Sequence, residues 1–111
     1  MQNAELIRYL QEAELLRDSF IESITMNFSG HMSFLINLTT QSGKSLKINF
    51  RGVSGYLFFD NEESYERFLI SHYKLFQIDK GFYFSFDPFS EIGKIESEDN
   101  NYIIFSEISL A

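Results

Sequence analysis

The sequence predicts an α+β fold: a largely antiparallel, curved sheet of six or seven strands with an N-terminal helix and one short internal helix. Three observations predict it. Apolar spacing is helical before Asp18 and again from Tyr65 to His72, and from Ile24 onward it otherwise mostly alternates in short runs. Those runs are separated by Gly, Asp and Asn turn signals. The chain has 111 residues, is 44% hydrophobic and carries 13 Phe and 6 Tyr, which suits one core and excludes an intrinsically disordered polymer. A single domain over 1–111 follows, with no linker, repeat or low-complexity tract.

Leu6, Tyr9, Leu10, Ala13 and Leu16 recur at i, i+3, i+4, i+7 and i+10, one face of a helix. Asn3 is placed to cap it, and Glu5 falls in the first turn, where the dipole favours an acid. Ile24, Met26 and Phe28 then alternate, Ser29-Gly30 turns the chain, and Phe34, Ile36 and Leu38 alternate again. A turn at Gln41-Ser42-Gly43 leads to Leu46, Ile48 and Phe50, completing a β-meander with one buried face. Gly52 and Gly55 bracket a bend before the apolar run from Tyr56 to Phe59. Asp60 with Glu63 makes a capping box, and Tyr65, Phe68, Leu69 and His72 predict the internal helix behind it. Leu75 to Ile78, a turn at Asp79-Lys80-Gly81, and Phe82, Phe84 and Phe86 predict a hairpin that Pro88 ends. A strand near Ile92 to Ile95, a turn at Asp99-Asn100-Asn101 and a final strand from Tyr102 to Ile108 complete the chain.

Several chemistries are excluded by what is missing. There is no Cys, hence no disulfide, thiolate metal site or cysteine nucleophile, and no cofactor motif is present. Gly43-Lys44-Ser45 has the ending of a phosphate-binding P-loop, but Leu38 stands where its first Gly belongs and no helix follows, so it reads as a hairpin turn. His31 lies in a turn and His72 on the apolar stripe of the predicted internal helix, without the ligand spacing of a metal site. No nucleophile elbow or Ser-His-Asp constellation stands out, so a non-enzyme is expected. The sequons at Asn27 and Asn37 fall on or beside strands of a chain without a secretory signal and read as chance matches. Charges at Glu5, Arg8, Glu12 and Glu14 interrupt any signal-like apolar stretch, and no apolar run approaches the roughly 20 residues of a membrane span. A cytoplasmic protein is expected.

Charge is the most informative feature. The formal net charge of −7 disfavours nucleic acid and anionic membranes as partners and favours a basic protein. Asp60, Glu62, Glu63 and Glu66 form one acidic segment, and Asp87, Glu91, Glu96, Glu98 and Asp99 against Lys94 form another. Lys44, Lys47 and Arg51 form a basic segment between Gln41 and Gly55 with no acid. The two acidic segments are candidate partner-binding surfaces, with Tyr56, Tyr65 and Tyr83 as candidate aromatic anchors. The alternatives are solvated loops for the acids and core packing for the tyrosines.

Leu16-Arg17-Asp18-Ser19-Phe20-Ile21-Glu22-Ser23-Ile24 resembles an opening found in small bacterial immunity-protein families of polymorphic or contact-dependent toxin systems. There, a His-Asp-(Ser/Ala)-x-(Ile/Val)-x-x-(Ile/Leu) stretch leads into a β-meander. The resemblance continues through Gly43 to Tyr56 and through Gly81 to Phe89, with an alternating C-terminal strand. Arg17 departs from the pattern, standing where His is usual. The resemblance implies a protein without catalysis or cofactor that binds a cognate toxin domain and blocks it. A nuclease toxin must be basic to hold phosphates, and an acidic inhibitor would occlude its active site. The rival functions are a small-molecule or lipid binder with a Phe-lined cavity, and a small enzyme with a concealed site.

Overall fold

The structure is a computed structural model that describes residues 2–58 and 67–111. Helix α1 (Asn3–Glu12) buries Leu6, Ile7 and Leu10. Its stripe is narrower than expected: Tyr9 and Ala13 are exposed, and Leu16 reaches the core from the turn beyond the helix. Asn3 does not cap α1. It is the first helical residue, and its side-chain Oδ1 accepts the Ile108 N–H at 3.1 Å, tying the helix to the last strand. Gln2 bridges to Ser109 beside it.

Nine strands follow among the described residues: β1 (Ser19–Asn27), β2 (Ser33–Thr39), β3 (Ser45–Arg51), β4 (Gly55–Leu57), β5 (Phe68–Ile70), β6 (Lys74–Ile78), β7 (Gly81–Asp87), β8 (Asn100–Phe105) and β9 (Glu107–Leu110). They form two antiparallel sheets rather than one curved sheet, ordered β5-β1-β2-β3-β9 and β4-β8-β7-β6. The α+β class and the antiparallel pairing are as the sequence predicts. The meander β1-β2-β3 has the expected register, with Ile24 opposite Ile36 and Ile36 opposite Ile48. Gly43-Lys44-Ser45 closes the β2–β3 hairpin, where the Thr40 N–H donates to the Lys44 carbonyl at 2.8 Å.

The sheets face each other through aromatic rings. Phe50 of β3 stacks on Phe84 of β7, centroids 5.6 Å apart, and meets Phe105 of β8 edge-on at 4.9 Å. Phe34 packs edge-on against Tyr56 and Phe58. Phe82, Phe84 and Phe86 all point into this core, as their alternation predicts. The rings spend their faces on one another, and ring pairs of this kind contribute about 0.5–1.5 kcal/mol beyond area burial.

Four expectations are corrected. The internal helix is replaced, over its described part, by strand β5: Phe68, Leu69 and Ile70 pair with Ile21, Phe20 and Ser19. The edge of β1 offers backbone partners there, and Ile70 is buried while Phe68 and Leu69, which carried the helical stripe, are exposed. The proposed cap at Asp60 and Glu63, and Tyr65, lie outside the described residues. Ile92 to Ile95 is loop, because its backbone carries no ladder and its isoleucines face outward. The turn sits one step earlier than expected, with the Asp99 N–H donating to the Glu96 carbonyl, and Asn100 already belongs to β8. Finally, the chain from Tyr102 to Ile108 crosses between sheets at Ser106 and so forms two strands. Gly81 is required beside that crossing: at φ +145° a Cβ there would lie 2.4 Å from the Phe105 carbonyl oxygen.

Candidate functional site

Strand β7 is buried on both faces. Phe82, Phe84 and Phe86 face the other sheet, whereas Tyr83 and Ser85 face the opposite way and are fully buried too. Loop 88–99 meets them there, through a network centred on Lys74 of β6. The Lys74 Nζ donates to the Lys94 carbonyl (2.8 Å), Glu96 Oε1 (2.7 Å) and Asp99 Oδ1 and Oδ2 (2.9 and 3.0 Å). Asp99 also accepts from the Tyr83 hydroxyl at 2.8 Å and from the N–H groups of Phe89 and Glu96 at 3.0 Å. Ser90 donates its hydroxyl to Glu96 Oε1. An ammonium ringed by four oxygens here organises the loop as a bound cation would.

The electrostatics follow from that geometry. Burial works to lower the Lys74 pKa, but the hydrogen bonds to Glu96 and Asp99 outweigh it and hold the ammonium protonated. Burial likewise works to raise Asp99, yet the Glu96 N–H, Lys74, the Phe89 N–H and Tyr83 together keep its carboxyl below the ordinary range. Burial first, then the bond to Asp99, pushes the Tyr83 hydroxyl well up. Every polar group is spent on another, which leaves Lys74 neither a base nor a nucleophile. The cluster therefore holds structure rather than performing chemistry.

A second clasp pins the other side of the loop. Arg17 donates from Nη1 and Nη2 to Glu91 at 2.8 and 2.9 Å, from Nε to Glu14 at 3.2 Å and from Nη1 to the Ser71 carbonyl at 3.2 Å. Its guanidinium lies 5.4 Å from the centre of the Tyr73 ring. His72 Nδ1 is 3.1 Å from Glu91. The Arg17 hydrogen bond, joined by that of His72, takes the Glu91 carboxyl down to about 2. His72 is thus exposed beside an acid rather than set on an apolar stripe.

These two clasps change the reading of the second acidic segment. Asp99 and Tyr83 face inward and present nothing to a partner. Glu96 is mostly buried against Lys74, and Glu91 is engaged by Arg17. Only Asp87 and Glu98 remain exposed and outside the clasps. Tyr56 is half-exposed, its ring edge-on to Phe34. Asp60, Glu62, Glu63, Tyr65 and Glu66 lie outside the described residues.

Loop 88–99 also presents large apolar side chains. Phe89, Ile92 and Ile95 are 65%, 56% and 50% exposed, within seven residues of one another. Sequence reasoning missed them by assigning Ile92 and Ile95 to a strand. It also missed Arg17 and Lys74 as clasps, since Arg17 and Glu91 are 74 residues apart. A lone lysine bordering the apolar run Leu75 to Ile78 was the one available signal.

A different feature lies at the end of the first sheet. Ser29, His31, Ser33, Arg51, Gly52, Ser106 and Glu107 line an open cleft of about 480 Å³. Strand register places Arg51 between Ser33 and Glu107. Arg51 Nη2 reaches Glu107 at 3.2 Å, while its Nε is buried without a partner.

Among the described residues no group of three or more His, Asp or Glu side chains is placed to hold a metal ion. No described helix is long and apolar enough to cross a membrane. The geometry defines an antiparallel α+β sandwich with a clasped loop. No protein family, curated protein or solved structure matches the chain.

Proposed function

We propose that this chain is a non-catalytic binding protein of the immunity type, which neutralises a cognate toxin domain by covering its active site. The observation that carries this reading is loop 88–99: three large apolar side chains held out to solvent on a backbone clasped from within by Lys74, Asp99 and Arg17. Exposed apolar groups on a loop cost solubility, and such groups mark interaction sites. A loop ordered before binding loses little conformational entropy on association, which is how a small interface reaches useful affinity. Phe89, Ile92 and Ile95 serve as anchors, and Asp87 and Glu98 contribute to a charged rim. The net charge of −7 steers a basic partner, such as a nuclease domain, toward the chain. The immunity assignment itself rests on the resemblance of Leu16 to Ile24 and the segments that follow it.

The test is inducible expression of the C-terminal domain encoded by the adjacent upstream reading frame, with and without this chain. Growth arrest relieved by the chain is the expected result. Arrest without relief, despite soluble chain, overturns that pairing. The combined substitution Phe89→Ser, Ile92→Ser and Ile95→Ser should abolish relief while leaving the far-UV circular dichroism unchanged; retained relief removes the loop from the reading.

A further inference from the structure

We infer that the cleft at the end of the first sheet binds the phosphoryl group of a small ligand, with Arg51 as its principal donor. None of loop 88–99 lines this cleft, so the inference stands apart from the proposed interface. The contrast between the two arginines is its starting point. Arg17 commits all three guanidinium nitrogens to Glu14, Glu91 and Ser71. Arg51 commits one, Nη2, to Glu107, although a guanidinium carries five N–H donors. Its Nε is shielded from water and has no acceptor, which is an uncommon state for a buried donor. Both Arg51 and Glu107 are about half exposed, and ion pairs of that kind are held weakly, so an incoming anion can take the guanidinium from the carboxylate.

The rest of the lining suits a tetrahedral anion. Ser29 and Ser33 bring two hydroxyls, Ser106 brings a third that makes a long 3.4 Å bond to the Arg51 carbonyl, and His31 brings a ring N–H in either neutral tautomer. Hydroxyls and one arginine are the donor set that phosphate oxygens take, through bonds strengthened by the anion's charge. Gly52 is shaped to this arrangement. It sits at φ +63°, and a Cβ there would fall 1.9 Å from the Ser106 Oγ, so any other residue would displace that hydroxyl. The volume of about 480 Å³ exceeds what one phosphoryl group fills and leaves room for the remainder of a ligand. Of the basic segment Lys44, Lys47 and Arg51, only Arg51 lines the cleft; Lys44 lies in the β2–β3 turn at the opposite end of the hairpin. Glu107 is the one group that opposes an anion, and it supplies the sharpest test.

The experiment is a titration of the ¹⁵N-labelled full chain with inorganic phosphate at constant ionic strength, followed by amide chemical shifts. Chloride and acetate serve as parallel arms. Saturable shifts at Ser29, Ser33, Gly52 and Ser106 with phosphate, and not with chloride, are expected. Arg51→Gln should weaken that binding at least tenfold, and Ser106→Ala by several fold. Glu107→Gln, which frees the guanidinium and removes the repulsion, should tighten it by several fold. The amide spectrum of each variant reports its folding, and Glu107→Gln probes the same site with an effect of opposite sign. Absence of saturation in the unmodified chain, equal binding in Arg51→Gln, or weaker binding in Glu107→Gln overturns the inference. Saturation by acetate as tight as by phosphate overturns the phosphoryl assignment.

Discussion

Loop 88–99 and the cleft beside Arg51 treat charge in opposite ways. Around the loop, Lys74, Glu96, Asp99, Arg17 and Glu91 satisfy one another, and the surface left over sets Phe89, Ile92 and Ile95 beside Lys94, Ser97 and Glu98. At the cleft, strand register brings an arginine and an acid together at the surface and leaves most of the arginine's donors unspent. In the sequence the two segments look the reverse: a run of five acids ready for a partner, and three bases with no assigned role. A charge run in the chain is therefore a poor guide to charge at the surface, because the compensating ion arrives from a distant strand.

That contrast is breakable. The largest effect is expected from Asp99→Ala, which strands a buried ammonium, the Tyr83 hydroxyl and two backbone N–H groups; breaking a buried pair costs about 3–5 kcal/mol. Urea unfolding followed by circular dichroism measures it. A cost below about 1 kcal/mol would show that the network does not hold the loop.

The pH dependence comes next. The Glu91, Glu96 and Asp99 carboxyls are lowered on folding, so the folded state binds fewer protons than the unfolded chain. Their stabilisation is complete above the ordinary Glu value of 4.5 and drains as pH falls below it, the Glu91 share being lost as pH passes about 2. Tyr83 and Lys74 are raised on folding, so their contributions are complete below the ordinary values of 10.0 and 10.5 and decline as pH rises past them. Thermal melts across pH should show a plateau bounded by these limbs, and Asp99→Asn should shrink the acid limb.

Gly52→Ala should cost about 1–2 kcal/mol from its left-handed backbone alone, with added strain from the Ser106 hydroxyl. Combining it with Ser106→Gly should recover the steric part, measured as a partial return of Tm. Arg17→Met, which breaks a half-exposed clasp, should cost only about 0.5–1 kcal/mol. Arg51→Gln should be smallest, within about 0.5 kcal/mol, because a single exposed pair holds that side chain. A larger loss at Arg51 than at Arg17 would invert the comparison between the regions.

The meander and the β6–β7 hairpin were legible because a buried face repeats every second residue, and Phe34, Ile36, Phe82 and Phe84 keep that period without interruption. The segment around Phe68 was misread because three or four residues carry too short a pattern to separate a helix from a strand, and pairing with Ser19–Ile21 decided it. The crossing at Ser106 was missed although the alternation slips there: Ile103 and Phe105 face the core, Ser106 and Glu107 are both exposed, and burial resumes one position late at Ile108. Of the proposed anchors, Tyr83 was misplaced for a related reason. Alternation puts it on the face opposite Phe82 and Phe84, and only the loop above makes that face interior.

By itself the sequence determined the class of fold, the antiparallel meander, the aromatic core and the overall acidity, since each follows from local periodicity or from composition. Tertiary structure alone decided that there are two sheets, that Glu91, Glu96 and Asp99 are engaged by Arg17 and Lys74, and that Arg51 meets three serines and a histidine in one cleft. The physical reason is range. Periodicity acts over a few residues, whereas the Arg17–Glu91 bond spans 74 residues and the packing of distant strands decides which charges meet.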